Sequence, residues 1–141
     1  PTVASTPRPD VPNTSEGVTA VQRACAMAGI APSDVDLLEM ADNTAWHILA
    51  WPELFGCYEP GQGDWMLENG KLDIGGELSL NPGGGFLSFG EATTAQAVMQ
   101  ICELSWQLRG KADGRQVPGV RVGMSAVLGL GANGGAVILK I

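Results

Sequence analysis

The sequence predicts a layered α/β domain, and three observations carry that prediction. Segments with helix-spaced apolar residues alternate with short apolar strand segments. One long segment, Ala92 to Leu108, is apolar on several faces, as expected of a helix buried between layers. The last 22 residues read as two strands joined by a short glycine-rich link. The chain has 141 residues, which suggests one domain. Its hydrophobic share is 45%, enough for a core and too much for a disordered chain.

Residues 1–14 hold four prolines and few apolar residues, so they are expected to form an extended lead. The domain proper is then 15–141. Ser15 is a suitable N-cap, with Glu16 in the first turn where the helix dipole favours an acid. Val18, Val21, Cys25 and Ala28 are spaced for one buried face, and Gly29 ends the helix. After the turn at Ala31-Pro32-Ser33-Asp34, residues 35–40 form a mostly apolar strand, expected to be interior.

Asn43-Thr44 suits a cap for a helix over 45–55, which Pro52 should interrupt or divide. Residues 57–76 read as an ordered loop anchored by Trp65, Met66 and Leu67. Residues 78–90 read as strand-like pieces broken by Asn81-Pro82-Gly83-Gly84-Gly85. The helix over 92–108 follows, with Arg109 and Lys111 at its C-terminus. Val120 to Leu128 alternates as a strand, 129–135 turns, and 136–141 returns as an antiparallel partner at or near a sheet edge.

Fifteen acids against eight bases give a net charge of −7, which argues against a nucleic-acid surface. Arg109, Lys111, Arg115 and Arg121 could meet an anion, or simply form a helix terminus and an exposed loop. Cys25, Cys57 and Cys102 lack metal-ligand spacing, and with one histidine in the chain no metal site is expected. Cys25 and Cys102 lie on apolar helix faces and read as small buried hydrophobes, whereas reactivity at Cys57 would need a lowered pKa. His47 reads as a surface or hydrogen-bonded structural residue, and the four tryptophans read as packing. No apolar run reaches the ~18 residues of a membrane span. Free thiols and the lack of a charged-plus-apolar leader point to the cytoplasm.

The order of motifs resembles the C-terminal half of a thiolase. Its marks are Ala28-Gly29-Ile30-x-x-Ser33-Asp34-Val35-Asp36 leading into a strand ending in Glu39, Glu59-Pro60-Gly61-Gln62-Gly63, and Asn81-Pro82-x-Gly84-Gly85. Glu103-Leu104-x-x-Gln107-Leu108-Arg109-Gly110 and Arg115-Gln116-Val117-Pro118-Gly119 extend the match. Taken together, the motifs most resemble the sterol-carrier, or lipid-transfer, branch. The resemblance implies a mixed sheet with helices on both faces, one half of a two-half, five-layered protein. It implies acyl-coenzyme A chemistry with a coenzyme A thioester as possible ligand and no other cofactor. It also implies that the half begins with a strand at the centre of its sheet. Residues 1–14 suit such a strand poorly, so that first central strand is expected to be absent from this chain. The chain is then a fragment of a longer protein, or a partner supplies the strand and the nucleophile.

At each catalytic point of the family the chain departs. Where relatives carry His-Asp-x-Phe, this sequence reads Ala41-Asp42-Asn43-Thr44. The Gly-His-Pro position reads Gly90-Glu91-Ala92, and the Cys-x-Gly turn falls near Ser125 to Gly129 without a cysteine. The tyrosines of thiolase-like aldolases are missing too, because Tyr58, the chain's one tyrosine, stands at neither position. Alanine cannot move a proton, and a carboxylate activates a thiol poorly beside an imidazole.

Asp42 and Glu91 are the candidate acid/base pair, with the plainer alternative that each is an N-cap acid. Asn43, Gly84, Gly85, Gly129 and Gly131 are candidates for the thioester side, with the alternative of turn geometry alone. The leading expectation is a catalytically degenerate domain that completes or shapes an acyl-CoA-binding assembly. The alternative is half of an active acyltransferase or lyase using Glu91 and Asp42. A complementary thiolase N-terminal half or other subunit is the expected partner, in a homo- or hetero-oligomer, with no nucleic acid and no membrane span.

Overall fold

A computed structural model describes residues 16–91, 95–129 and 133–141. The expected lead, the Ser15 cap and Gly131 lie outside these residues. The helices are α1 (Glu16–Ala28), α2 (Ala45–Phe55), α3 (Gly63–Glu68), α4 (Gly85–Phe89) and α5 (Gln96–Leu108). The strands are β1 (Leu37–Met40), β2 (Ser79–Leu80), β3 (Val122–Gly129) and β4 (Asn133–Lys140).

The strands form one mixed sheet in the order β2-β1-β3-β4. β1 runs parallel to both neighbours, with Leu37 opposite Ser79 and Gly123. β3 and β4 are the expected antiparallel hairpin, from Val122 opposite Lys140 to Gly129 opposite Asn133. β4 lies at the edge of the described sheet. Because β1 and β3 bond to each other directly, the ladder has no gap at its centre. A strand missing from this sheet would therefore add at an edge, which corrects the expected central vacancy.

Strand alternation divides the core into two faces. Leu38, Met40, Met124 and Ala126 face α1, where Val18, Val21 and Cys25 pack with Trp51, Phe55 and Met66. Leu37 faces the other way, against Leu104 of α5, Val117 and Val120. Gly123 lies on that side because a Cβ there would come within 2.9 Å of the Leu104 side chain. Helices thus cover both faces, as predicted.

Four local expectations fail. α2 continues through Pro52 instead of breaking. That ring is buried and lies well into the helix, so apolar packing outweighs the lost backbone bond. In the segment read as a loop, 63–68 is helical, and Met66 is buried while Trp65 and Leu67 are exposed. Residues 85–89, read as strand-like, form the one-turn helix α4. Cys102 is exposed, not buried.

α5 also differs from expectation. Its inward stripe is Gln96, Gln100, Glu103, Leu104 and Gln107, with Leu104 its one apolar member. Its apolar residues Val98, Met99 and Trp106 point away from the sheet and stay 61%, 46% and 45% exposed. The expected burial between two layers holds on one side only among the described residues. Three of the inward polar groups, Gln100, Glu103 and Gln107, are tied to the sheet or the following loop. Ser125 Oγ donates to Gln100 Oε1 at 2.8 Å, and the Val117 N–H donates to Gln107 Oε1 at 2.8 Å.

Candidate functional site

Two loops leave the C-terminal ends of the parallel strands β1 and β2, the place where open α/β sheets commonly bind ligands. Asn81 fastens them together. It accepts the Met40 N–H at 2.7 Å and donates to the Met40 carbonyl at 3.2 Å. It does so with a left-handed backbone at φ 45°.

Asp42, next along the first loop, is buried and accepts the Phe86 N–H at 2.6 Å. It therefore caps the start of α4. Gly85 has φ 61°, and a Cβ there would fall on the Asp42 carboxylate. Glu91 lies just beyond the other end of α4 and is exposed. One short helix thus links the two predicted acids, with Asp42 inside at its start and Glu91 outside beyond its end.

The glycine-rich turn is largely occupied by the protein's own acceptors. The Gly83 N–H donates to Glu39 Oε1 at 3.2 Å, and the Gly84 N–H donates to the Asn81 carbonyl at 2.8 Å. With the Phe86 N–H on Asp42, these bonds give 83–86 a structural role. Asn43 is exposed at the mouth of the first loop. Gly129 ends β3 on the hairpin, opposite Asn133.

Glu39 is a further acid at this site, beside the two acids that the sequence predicts. It faces the α5 side, is 5% exposed, and its carboxyl is pushed up to about 8. Burial is the main cause, with repulsion from Glu103 and Asp42 adding to it, while the Gly83 N–H and Arg115 act in the opposite sense. Glu39 therefore keeps a proton at neutral pH. Glu103 is held by a bidentate Arg115 at 2.8–3.0 Å, and that guanidinium lies 5.6 Å from the Trp106 ring centre. Arg115 is consequently partner-bound and not part of a free basic patch. An acid inside an apolar strand was the available signal for Glu39, and it needed α5 to acquire meaning.

His47 has a structural place. The Thr44 N–H donates to His47 Nδ1 at 3.0 Å, so His47 closes the N-terminus of α2. Its ring stacks on Trp51 at 6.0 Å. The Cys57 thiol is pushed up to about 12 by burial, the opposite of what a reactive thiol requires. Trp51 is buried, whereas Trp46, Trp65 and Trp106 are largely exposed, so packing accounts for the first and not the others. Among the described residues no cluster could hold a metal ion, and no helix is long and apolar enough to cross a membrane.

The family model "Thiolase C-terminal domain-like" matches residues 2–140. Sterol carrier protein 2 of Rattus norvegicus is 40% identical over 119 residues, covering 84% of this chain and 21% of that protein. An acetyl-CoA acetyltransferase of Methanothermobacter thermautotrophicus is 35% identical over 140 residues, covering 99% of this chain and 36% of the enzyme. The solved structure of an Ltp2-ChsH2(DUF35) aldolase superposes with a TM-score of 0.80 at 23% identity, over 97% of this chain and 35% of that one. The chain thus spans between about a fifth and about a third of the length of these relatives. With the sheet order, the two covered faces and the loops beyond β1 and β2, these matches establish that the chain belongs to the thiolase C-terminal domain family.

Proposed function

We propose that this domain is catalytically degenerate by itself and completes an acyl-CoA-binding assembly in lipid metabolism by docking against a complementary thiolase half or other subunit. The observation that carries the reading is the inverted helix α5. Gln100, Glu103 and Gln107 of its polar stripe bond to the sheet and the loop at 115–117, and its apolar stripe is left open. An apolar helical face of this kind marks an interaction surface. The relatives' greater length supplies polypeptide that such a face would meet.

Degeneracy is supported by the site. Alanine at 41 has no proton to give, and Asp42 is committed to capping α4. Coenzyme A thioester is the ligand the family suggests, bound by the assembly and not by this half alone. A cytoplasmic location fits the same reading.

The test is a titration of the chain with acetyl-CoA, with a complementary thiolase N-terminal half from the same source, and with both together. The half should bind, and acetyl-CoA should bind the pair and not the chain alone. Association with neither ligand nor half would overturn the proposal.

A further inference from the structure

The open side of α5 borders a groove of about 510 Å³ between that helix and α4. Phe89, Val98, Met99 and Trp106 line it, and so do Gln96 and Gln100. The two amides are 92% and 97% buried, yet the Nε2 of each is shut off from solvent with no hydrogen-bond partner. A buried amide donor left unpaired costs roughly 1–3 kcal/mol. Two such donors, one helical turn apart beside an apolar groove, are an unusual burden for a folded domain. The terminal torsion of a glutamine side chain is soft, so either amide can turn toward the groove.

We infer that the surface covering α5 is apolar but carries hydrogen-bond acceptors opposite Gln96 and Gln100, so that these amides select the complementary half. This rests on the docking reading above and adds the chemistry of the partner. Carbonyl or carboxylate oxygens would satisfy both donors, whereas a wholly apolar surface would leave both orphaned. A second copy of the chain fits less well. Each copy carries a net charge of −7, and Arg115, the base that lines the groove, is already bound to Glu103 and so offers no free charge to offset the repulsion.

The amides then discriminate by the asymmetry of hydrogen bonding. A correct partner pairs them, and a merely greasy surface does not. Gln96 is the cleaner probe, because among the described residues no hydrogen bond involves its side chain. Gln100 also holds Ser125, so its replacement mixes folding with binding.

Affinity for the complementary half should be measured for the wild type, Gln96→Leu, Gln96→Met and Val98→Asp, with thermal melting of each. Both Gln96 variants should melt at or above the wild type, because each removes a buried unpaired donor, and Val98→Asp should melt close to it. Val98→Asp should abolish binding, and both Gln96 variants should weaken it by about tenfold or more. Unchanged or tighter binding of the Gln96 variants, with Val98→Asp still inactive, would overturn the acceptor assignment and leave docking intact. Undiminished binding of Val98→Asp would overturn docking on this face. Dimers of the chain alone, broken by Val98→Asp, would make the occupant a second copy and overturn the inference.

Discussion

Asp42 and Gly85 compete for one volume. The carboxylate that caps α4 through the Phe86 N–H fills the space a side chain at 85 would need. The left-handed backbone of Gly85 adds a second constraint on the same residue.

Gly85→Ala should therefore destabilise the domain by about 2 kcal/mol or more, through both strain and collision. Asp42→Ala should cost about 1 kcal/mol as a lost cap. The double variant should be less unstable than the sum, because removing the carboxylate opens room for the new methyl group. Denaturant titration of the four proteins measures that coupling. Strict additivity would contradict the shared volume.

Glu39 sets a pH dependence of known sign. Its folded pKa of about 8 lies above the ordinary 4.5, so the native state holds this proton more tightly than the unfolded chain. Below about pH 4.5 both states are protonated and the burial penalty is absent. Stability then falls as pH rises toward 8, and the full penalty applies beyond it. Glu39→Gln should flatten that decline, by an amount on the order of a few kcal/mol between the two limits. Chemical denaturation from pH 5 to 9 checks it, and parallel curves for the two proteins would count against a protonated Glu39.

Gln107 is the hub of the inward stripe. Its amide nitrogen donates to Glu103 and to the Arg115 carbonyl, each at 2.9 Å, and its oxygen receives the Val117 N–H. Gln107→Leu should cost about 2–4 kcal/mol, because a buried N–H and carbonyl lose their partner. Trp106→Ala, one residue away on the open side, should cost the uncovered domain far less. Paired melting curves decide the ranking.

Glu91→Gln tests the catalytic alternative. In the assembled protein the degenerate reading expects turnover within a few-fold of wild type. A general base would be worth about a hundredfold or more. A drop of that size on Glu91→Gln would restore an enzymatic role to this half.

The elements with clean periodicity were legible. The face of α1 at Val18, Val21 and Cys25, the interior strand β1 and the C-terminal hairpin all follow from residue spacing. α3 and α4 were not, since helices of six and five residues show no full period. The direction of α5 was not either. It carries a polar and an apolar stripe of similar width, and the choice between them depends on Ser125, Arg115 and Val117, remote in the chain. In the candidate site, Asp42 and the glycine turn were visible as a pattern. That the turn spends its N–H groups on Glu39 and Asp42 required the fold.

The outward apolar stripe of α5 separates two kinds of selection on one helix. Substitutions at 100, 103 and 107 would be judged first by whether the chain folds. On the proposed docking, substitutions at 96, 98, 99 and 106 would pass that judgement and be rejected only later, when a partner is needed. A survey of tolerated mutations in the lone domain would record the second group as freely variable. If the proposed docking holds, the same survey in the assembled pair would find there a seam as demanding as any interior.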